Sequence, residues 1–395
     1  MLSPVLRKGV VATLASASLL LSACSSADGP AAGEGAAPSA SATATSTAPP
    51  GAGSPSPDLP PAKGSVEVER TLTTGLASPW GLAVLPGGDL LVASRDDATI
   101  TRIDRKNGRK TLLGSVPGVA PSGEGGLLGL AVAPTFGADH LIYAYFTTES
   151  DNRIARMQYD EKKPPGRQLG APDTILRGIP KGSIHNGGRI AFGPDRMLYA
   201  GTGETGDTGL AQDKASLAGK ILRMTPDGEP VHGNPEAGSV VYSYGHRNVQ
   251  GLAWDGQKQL WASEFGQNTW DELNRIEPGG NYGWPEVEGR KGEAGFVDPV
   301  AQWKTSEASP SGIAYAGGSI WMAGLRGERL WRIPLSGKPG EEPLAAPQAF
   351  LDGKYGRLRT VLAAGGDTLW LVTSNTDGRG TPKPGDDRIL LLKVR

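Results

Sequence analysis

The sequence predicts an all-β chain: a six-bladed β-propeller with four-stranded antiparallel blades. Three observations carry that prediction. Short apolar runs bounded by turn residues recur along the chain, and 58 of its 395 residues are glycine, which suits many tight turns between strands. A three-strand pattern is repeated six times, with copies starting near residues 81, 129, 189, 251, 312 and 360. Self-similarity at that spacing, each unit a small antiparallel sheet, is the signature of propeller blades.

The first copy sets the pattern: Gly81-Leu82-Ala83-Val84, the turn Pro86-Gly87-Gly88, then Leu90-Leu91-Val92-Ala93 and Ile100-Thr101-Arg102-Ile103. The later copies open with Gly129-Leu130-Ala131, Arg189-Ile190-Ala191, Gly251-Leu252-Ala253, Gly312-Ile313-Ala314 and Thr360-Val361-Leu362. In each, the segment before the next copy can supply a fourth strand. Val66-Glu67-Val68-Glu69-Arg70 can pair with the last copy and close the ring, which removes an exposed sheet edge.

The folded domain is expected to span 64–395. Residues 1–23 read as an export signal, with Arg7 and Lys8 before the apolar run Gly9 to Leu21. Leu21-Ser22-Ala23-Cys24 resembles the lipobox of bacterial lipoproteins, which implies cleavage before Cys24 and lipid attachment to it. Cys24 is also the only cysteine, so the exported domain has no internal disulfide. Residues 24–63, rich in Ser, Ala, Gly, Pro and Thr, cannot bury apolar surface and read as a disordered tether. The expected location is the outer face of the cell membrane, held through the N-terminal lipid only. A net charge of −1 offers nothing to attract nucleic acid, and no later stretch is long and apolar enough to cross a bilayer.

A propeller gathers its connecting loops around the central channel, so distant residues can share a site. Several loops are unusually polar and glycine-rich. Gly201-Thr202-Gly203-Glu204-Thr205-Gly206-Asp207, Ser263-Glu264-Phe265-Gly266-Gln267-Asn268 and Ser374-Asn375-Thr376-Asp377-Gly378-Arg379 follow a strand pair. Gly123-Glu124-Gly125-Gly126, Ile184-His185-Asn186-Gly187-Gly188 and Tyr244-Gly245-His246-Arg247-Asn248 precede a copy's first strand. His185 stands out, because a histidine at a loop-to-strand junction presents an imidazole from a rigid frame.

Five motifs in order, through most of the chain from about Ser78 onward, carry a family resemblance. They are Gly125-Gly126-Leu127-Leu128-Gly129-Leu130, Ile184-His185-Asn186-Gly187-Gly188-Arg189, Tyr244-Gly245-His246-Arg247-Asn248-Val249-Gln250-Gly251-Leu252, Asp271-Glu272-Leu273-Asn274 and Gly280-Asn281-Tyr282-Gly283-Trp284-Pro285. The chain resembles the soluble pyrroloquinoline quinone (PQQ)-dependent aldose sugar dehydrogenases of the glucose/sorbosone dehydrogenase type. The resemblance implies oxidation of an aldose at C1 to a lactone with PQQ and calcium, electrons then passing to an external acceptor. It makes His185 the general base, Glu204 the carboxylate that orients it (Asp in the glucose enzymes), and Arg247 the cation against the quinone oxygen.

The resemblance further implies that Asn248 holds the same end of the cofactor, and that Arg326, Arg357 and Arg359 meet its carboxylates. Arg357 and Arg359 are expected on one face of a strand. Glu124 stands where the family has an amide, and an acid there needs a proton or a cation partner. Calcium is expected on the carbonyls of Gly266 and Gln267, with a second ion at Glu272 and the carbonyl of Tyr282, since hard oxygen ligands suit it. Trp303 is either a lining residue or packing. Two other functions remain open on the same fold: a metal-dependent lactonase-type hydrolase, which needs a cage of Glu, Asp and Asn, and a non-catalytic carbohydrate- or protein-binding propeller.

Overall fold

In the computed structural model, residues 59–338 and 342–395 are described. The expected signal, Cys24 and nearly all of the expected tether lie outside the described residues. The strand β1 (Val66–Thr73) comes first. Blade 1 is β2 (Pro79–Val84), β3 (Leu90–Ser94), β4 (Thr99–Ile103) and β5 (Lys110–Ser115). Blade 2 is β6 (Leu127–Val132), β7 (Leu141–Thr147), β8 (Asn152–Gln158) and β9 (Asp173–Ile179). Blade 3 is β10 (Ile190–Phe192), β11 (Leu198–Gly201), β12 (Lys220–Met224) and β13 (Val241–Tyr244). Blade 4 is β14 (Val249–Trp254), β15 (Leu260–Glu264), β16 (Trp270–Arg275) and β17 (Ala301–Lys304). Blade 5 is β18 (Pro310–Ala316), β19 (Ser319–Gly324), β20 (Leu330–Pro334) and β21 (Gln348–Phe350). Blade 6 is β22 (Leu358–Gly365), β23 (Thr368–Thr373) and β24 (Ile389–Val394), completed by β1 in the order β1-β24-β23-β22.

The ring is therefore a six-bladed propeller of antiparallel four-stranded blades, closed by the N-terminal strand as the sequence predicts. Val66 pairs with Val394 and Val68 with Leu392, so the two ends of the domain lock each other. Just upstream, Ala346 donates to the Pro60 carbonyl and Gln348 to that of Ala62, so residues 60–62 lie along blade 5.

The innermost strands explain the repeated glycine. A Cβ on Gly81 would stand 2.4 Å from the Leu128 carbonyl oxygen, on Gly129 2.1 Å from that of Gly188, and on Gly251 2.4 Å from that of Ser311. Neighbouring blades thus meet backbone to backbone around the channel, and only a residue without a side chain fits. Farther out, the blades are cemented by large buried side chains such as Tyr143, Tyr145, Trp261 and Trp321. Each aromatic buries enough apolar surface to contribute about 2–3 kcal/mol. Trp303 belongs to this packing, not to the site: it is buried in β17 with its ring 5.5 Å from that of Trp331.

Candidate active site

The loops that join strands at one end of the channel enclose a cavity of about 640 Å³. Its walls carry His185, Glu124, Gln250, Asp377, Trp80 and five arginines: Arg95, Arg326, Arg357, Arg359 and Arg379. Arginines exceed carboxylates along its walls by three; Arg95 is paired with Asp96 behind the wall (2.6 Å), and the cationic excess that remains suits an anionic ligand.

His185 is held from both its backbone and its ring. Its backbone is left-handed (φ 52°), an uncommon conformation for a residue with a side chain, though histidine adopts it more readily than most. Its N–H donates to Glu124 Oε2 (3.0 Å) and its carbonyl accepts from the Thr205 N–H (3.2 Å). The ring Nδ1 lies 2.5 Å from Glu204 Oε1. Glu204 is buried, and its other oxygen accepts from the Gly206 N–H at 2.7 Å. A carboxylate at Nδ1 selects the Nδ1-protonated tautomer of the neutral ring, the tautomer that leaves a lone pair on Nε2. The longer arm of glutamate is thus accommodated: one oxygen orients the ring while the backbone fixes the other.

The turn beneath is tight. A Cβ on Gly203 would lie 1.9 Å from the His185 carbonyl oxygen. Gly203→Ala is therefore expected to displace the histidine loop, with a larger fractional loss of activity than of folded protein, checked by comparing turnover with the thermal midpoint.

Glu124 finds the cation that its position demands, in Arg379, whose Nη2 donates to Glu124 Oε1 at 2.7 Å. Arg357 and Arg359 converge on one acceptor. Asp377 Oδ2 accepts from Arg357 Nη2 (3.0 Å), Arg359 Nη2 (3.0 Å) and Ser374 Oγ (3.1 Å). Although burial alone would raise it, Asp377 is held below the usual carboxylate range, with Arg359 and then Arg357 the strongest of the groups that lower it. Arg357 stands just before β22 rather than within it, so the pair is aligned by Asp377 and not by strand alternation alone. Arg359 also reaches Gln250 Oε1 (3.0 Å).

Sequence reasoning assigns no role to Asp377, Gln250, Arg95 or Trp80, although Gln250 lies within one of the family motifs. Arg95 directly follows the second strand of blade 1, at the place that Gly203 holds in blade 3, so the repeat itself gives no signal for it. Asp377 lies in a loop already noted as polar, with no signal of its own.

Arg247 sits to one side. Its Nη1 donates to the carbonyls of Phe265 (3.2 Å) and Gly266 (2.7 Å), and it lines a small neighbouring pocket with Glu264, Glu272, Tyr282 and Glu288. Phe265 borders both cavities. Burial lowers the Arg247 pKa, against the opposing pull of Glu204 and nearby acids. Among the described residues, Arg247 Nε and Asn248 Nδ2 are buried donors without a hydrogen-bond partner, and Asn248 Oδ1 accepts from the Gly187 N–H. Both fit an acceptor-rich ligand.

Glu272 is buried beside Glu264, and the two share Asn274 Nδ2 (3.0 and 2.8 Å). Burial, then the neighbouring Glu264 carboxylate, pushes Glu272 up to about 8, as low dielectric and a like charge both disfavour ionisation. Glu288 Oε1 instead gathers the N–H groups of residues 267–270, and Tyr282 stacks 4.5 Å from His246. Among the described residues, no group of three or more His, Cys, Asp or Glu side chains is arranged to hold a metal.

A six-bladed ring with a cationic cavity and a histidine–carboxylate dyad at its mouth defines a propeller enzyme built around an anionic ligand. The chain belongs to the Glucose / Sorbosone dehydrogenase family, whose profile matches residues 76–390. It is similar to the PQQ-bound aldose sugar dehydrogenase from Streptomyces coelicolor: 76% identity and a TM-score of 0.83, covering 85% of this chain and 100% of that one. It is 33% identical to the aldose sugar dehydrogenase YliI of Escherichia coli over 65% of this chain and 74% of the relative. With the quinoprotein glucose dehydrogenase B of Acinetobacter calcoaceticus it shares 30% identity over 63% of its own length, spanning 60% of that protein.

Proposed function

We propose that this protein oxidises aldose sugars at C1 to lactones with PQQ and calcium, and passes the electrons to an external acceptor. The observation that carries the reading is the cavity itself: an excess of three arginines around the Glu204-oriented His185. PQQ carries three carboxylates, which Arg326, Arg357 and Arg359 would hold, with Arg247 and Asn248 supplying their unpaired donors to an acceptor. Bound PQQ supplies the acceptor for the hydride that leaves C1.

His185 Nε2 takes the proton of the C1 hydroxyl, so the C1–O bond becomes a carbonyl as the hydrogen departs. Glu204 keeps Nδ1 protonated and stabilises the imidazolium that forms. The guanidinium of Arg247 offsets negative charge as it grows. Calcium would take the carbonyls of Gly266 and Gln267, the first of which Arg247 now holds. A second ion at Glu272 and the Tyr282 carbonyl would neutralise the buried acid pair. Export and lipid attachment at Cys24, carrying the domain to the outer face of the membrane, complete the proposal.

Protein mixed with PQQ and calcium is expected to reduce an artificial dye when given aldoses, and to lose that activity with a calcium chelator. No reduction across a sugar panel would defeat the reading. A lactonase would hydrolyse lactones without PQQ, and a binding propeller would show neither reaction.

A further inference from the structure

The innermost strands place equivalent residues at one level of the channel, and four of the six blades have glycine there: Gly81, Gly129, Gly251 and Gly312. Blades 3 and 6, opposite each other in the ring, have Arg189 and Thr360 instead. These two side chains meet across the channel, Arg189 Nη2 donating to Thr360 Oγ1 at 3.1 Å while its Nε donates to the Gln250 carbonyl at 2.8 Å. The guanidinium lies 4.4 Å from the centre of the Trp80 ring. Arg189 is 7% exposed, and among the described residues no carboxylate stands within ion-pairing distance of it. Its nearest strong charge, Arg359, is repulsive.

A buried cation without a counter-charge is costly unless something anionic meets it. Arg189 and Thr360 also line a separate cavity of about 330 Å³, on the side of the channel away from His185. Every blade gives that cavity at least one apolar residue, among them Leu82, Leu130, Ile190, Leu252, Ile313 and Val361. Farther along the same strands Val84, Val132 and Phe192 are half-buried, so the cavity has a mouth there. A volume of this size, with apolar side chains from every blade, exposed polar backbone and one fixed cation, suits a small amphipathic anion.

We propose that this lower channel binds an aliphatic carboxylate, its head group on the Arg189 guanidinium and its chain along the apolar ring. The site is distinct from the cavity that holds His185, and the proposal does not depend on PQQ.

Calorimetric titration of the full chain with octanoate tests it, with octanol as the neutral match, in the presence and absence of PQQ. Saturable octanoate binding is expected in both conditions, with octanol weaker by about tenfold or more, the value of one charge-assisted contact. Arg189→Gln is expected to remove the preference for the carboxylate. Ala191→Trp, which fills the cavity from its wall and leaves the guanidinium in place, is expected to abolish binding while dye reduction persists. Three results would each overturn the proposal: no octanoate binding by the parent protein, octanol binding as tightly, or binding that survives Ala191→Trp. Loss of binding on adding PQQ would place the anion in the upper cavity and overturn it equally.

Discussion

His185→Ala is expected to lower turnover by about 10³-fold, within the range that a positioned general base contributes, while PQQ still titrates into the protein. The two effects separate because the cations proposed to hold the cofactor stand on other blades, Arg326 after β19, Arg357 just before β22 and Arg359 within it. Activity by dye reduction and binding by absorbance would be measured on the same preparation. Equal activity in the variant would remove His185 from the chemistry. Glu204→Gln is the companion measurement. It keeps the volume and the contact with the Gly206 N–H but no longer stabilises a protonated ring, so kcat is expected to fall by about 10-fold or more with little change in PQQ binding. A purely structural role for Glu204 would instead lower thermal stability and leave the pH profile of kcat in place.

Asp377→Ala is expected to destabilise the cofactor-free protein by about 3–5 kcal/mol, the cost of leaving buried charges without their partner. Arg357 and Arg359 both donate to a single oxygen of Asp377, and Arg359 is itself buried. Denaturant unfolding with and without PQQ checks it, and the deficit is expected to shrink with PQQ present because incoming carboxylates replace the lost one. The pH dependence has a definite sign. The folded protein holds the Asp377 carboxyl below its ordinary value, so the stabilisation is present above the ordinary carboxylate range. It is lost as pH falls through the folded value. Asp377→Asn is expected to flatten that acid limb, and an unchanged limb would show that the pair of arginines does not depend on this carboxylate.

Much of the architecture was legible because a propeller writes its period into the chain. The six openings from Gly81 to Thr360 gave the blade count, and the Val66–Arg70 run gave the closing strand, since each depends only on local alternation and turn residues. The dyad of His185 and Glu204 was legible through resemblance. The roles of Asp377 and Gln250 were not, because nothing local distinguishes a carboxylate in a solvated turn from one that receives two guanidinium groups. Arg247 shows the same limit from the other side. Its motif is plain in the sequence, yet its contacts with the Phe265 and Gly266 carbonyls depend on how two blades abut.

The sequence by itself thus determined the fold, the order of the blades and the residue types offered at one rim, because strand periodicity and glycine placement are properties of neighbours along the chain. Only the tertiary structure decided which charges pair and which stand alone. Glu124 meets Arg379 from 255 positions away, and Arg189 crosses the channel to a threonine instead of an acid. Charge pairing is a matter of a few ångströms in space, and closing the ring brings together side chains whose separation along the chain says nothing of their distance.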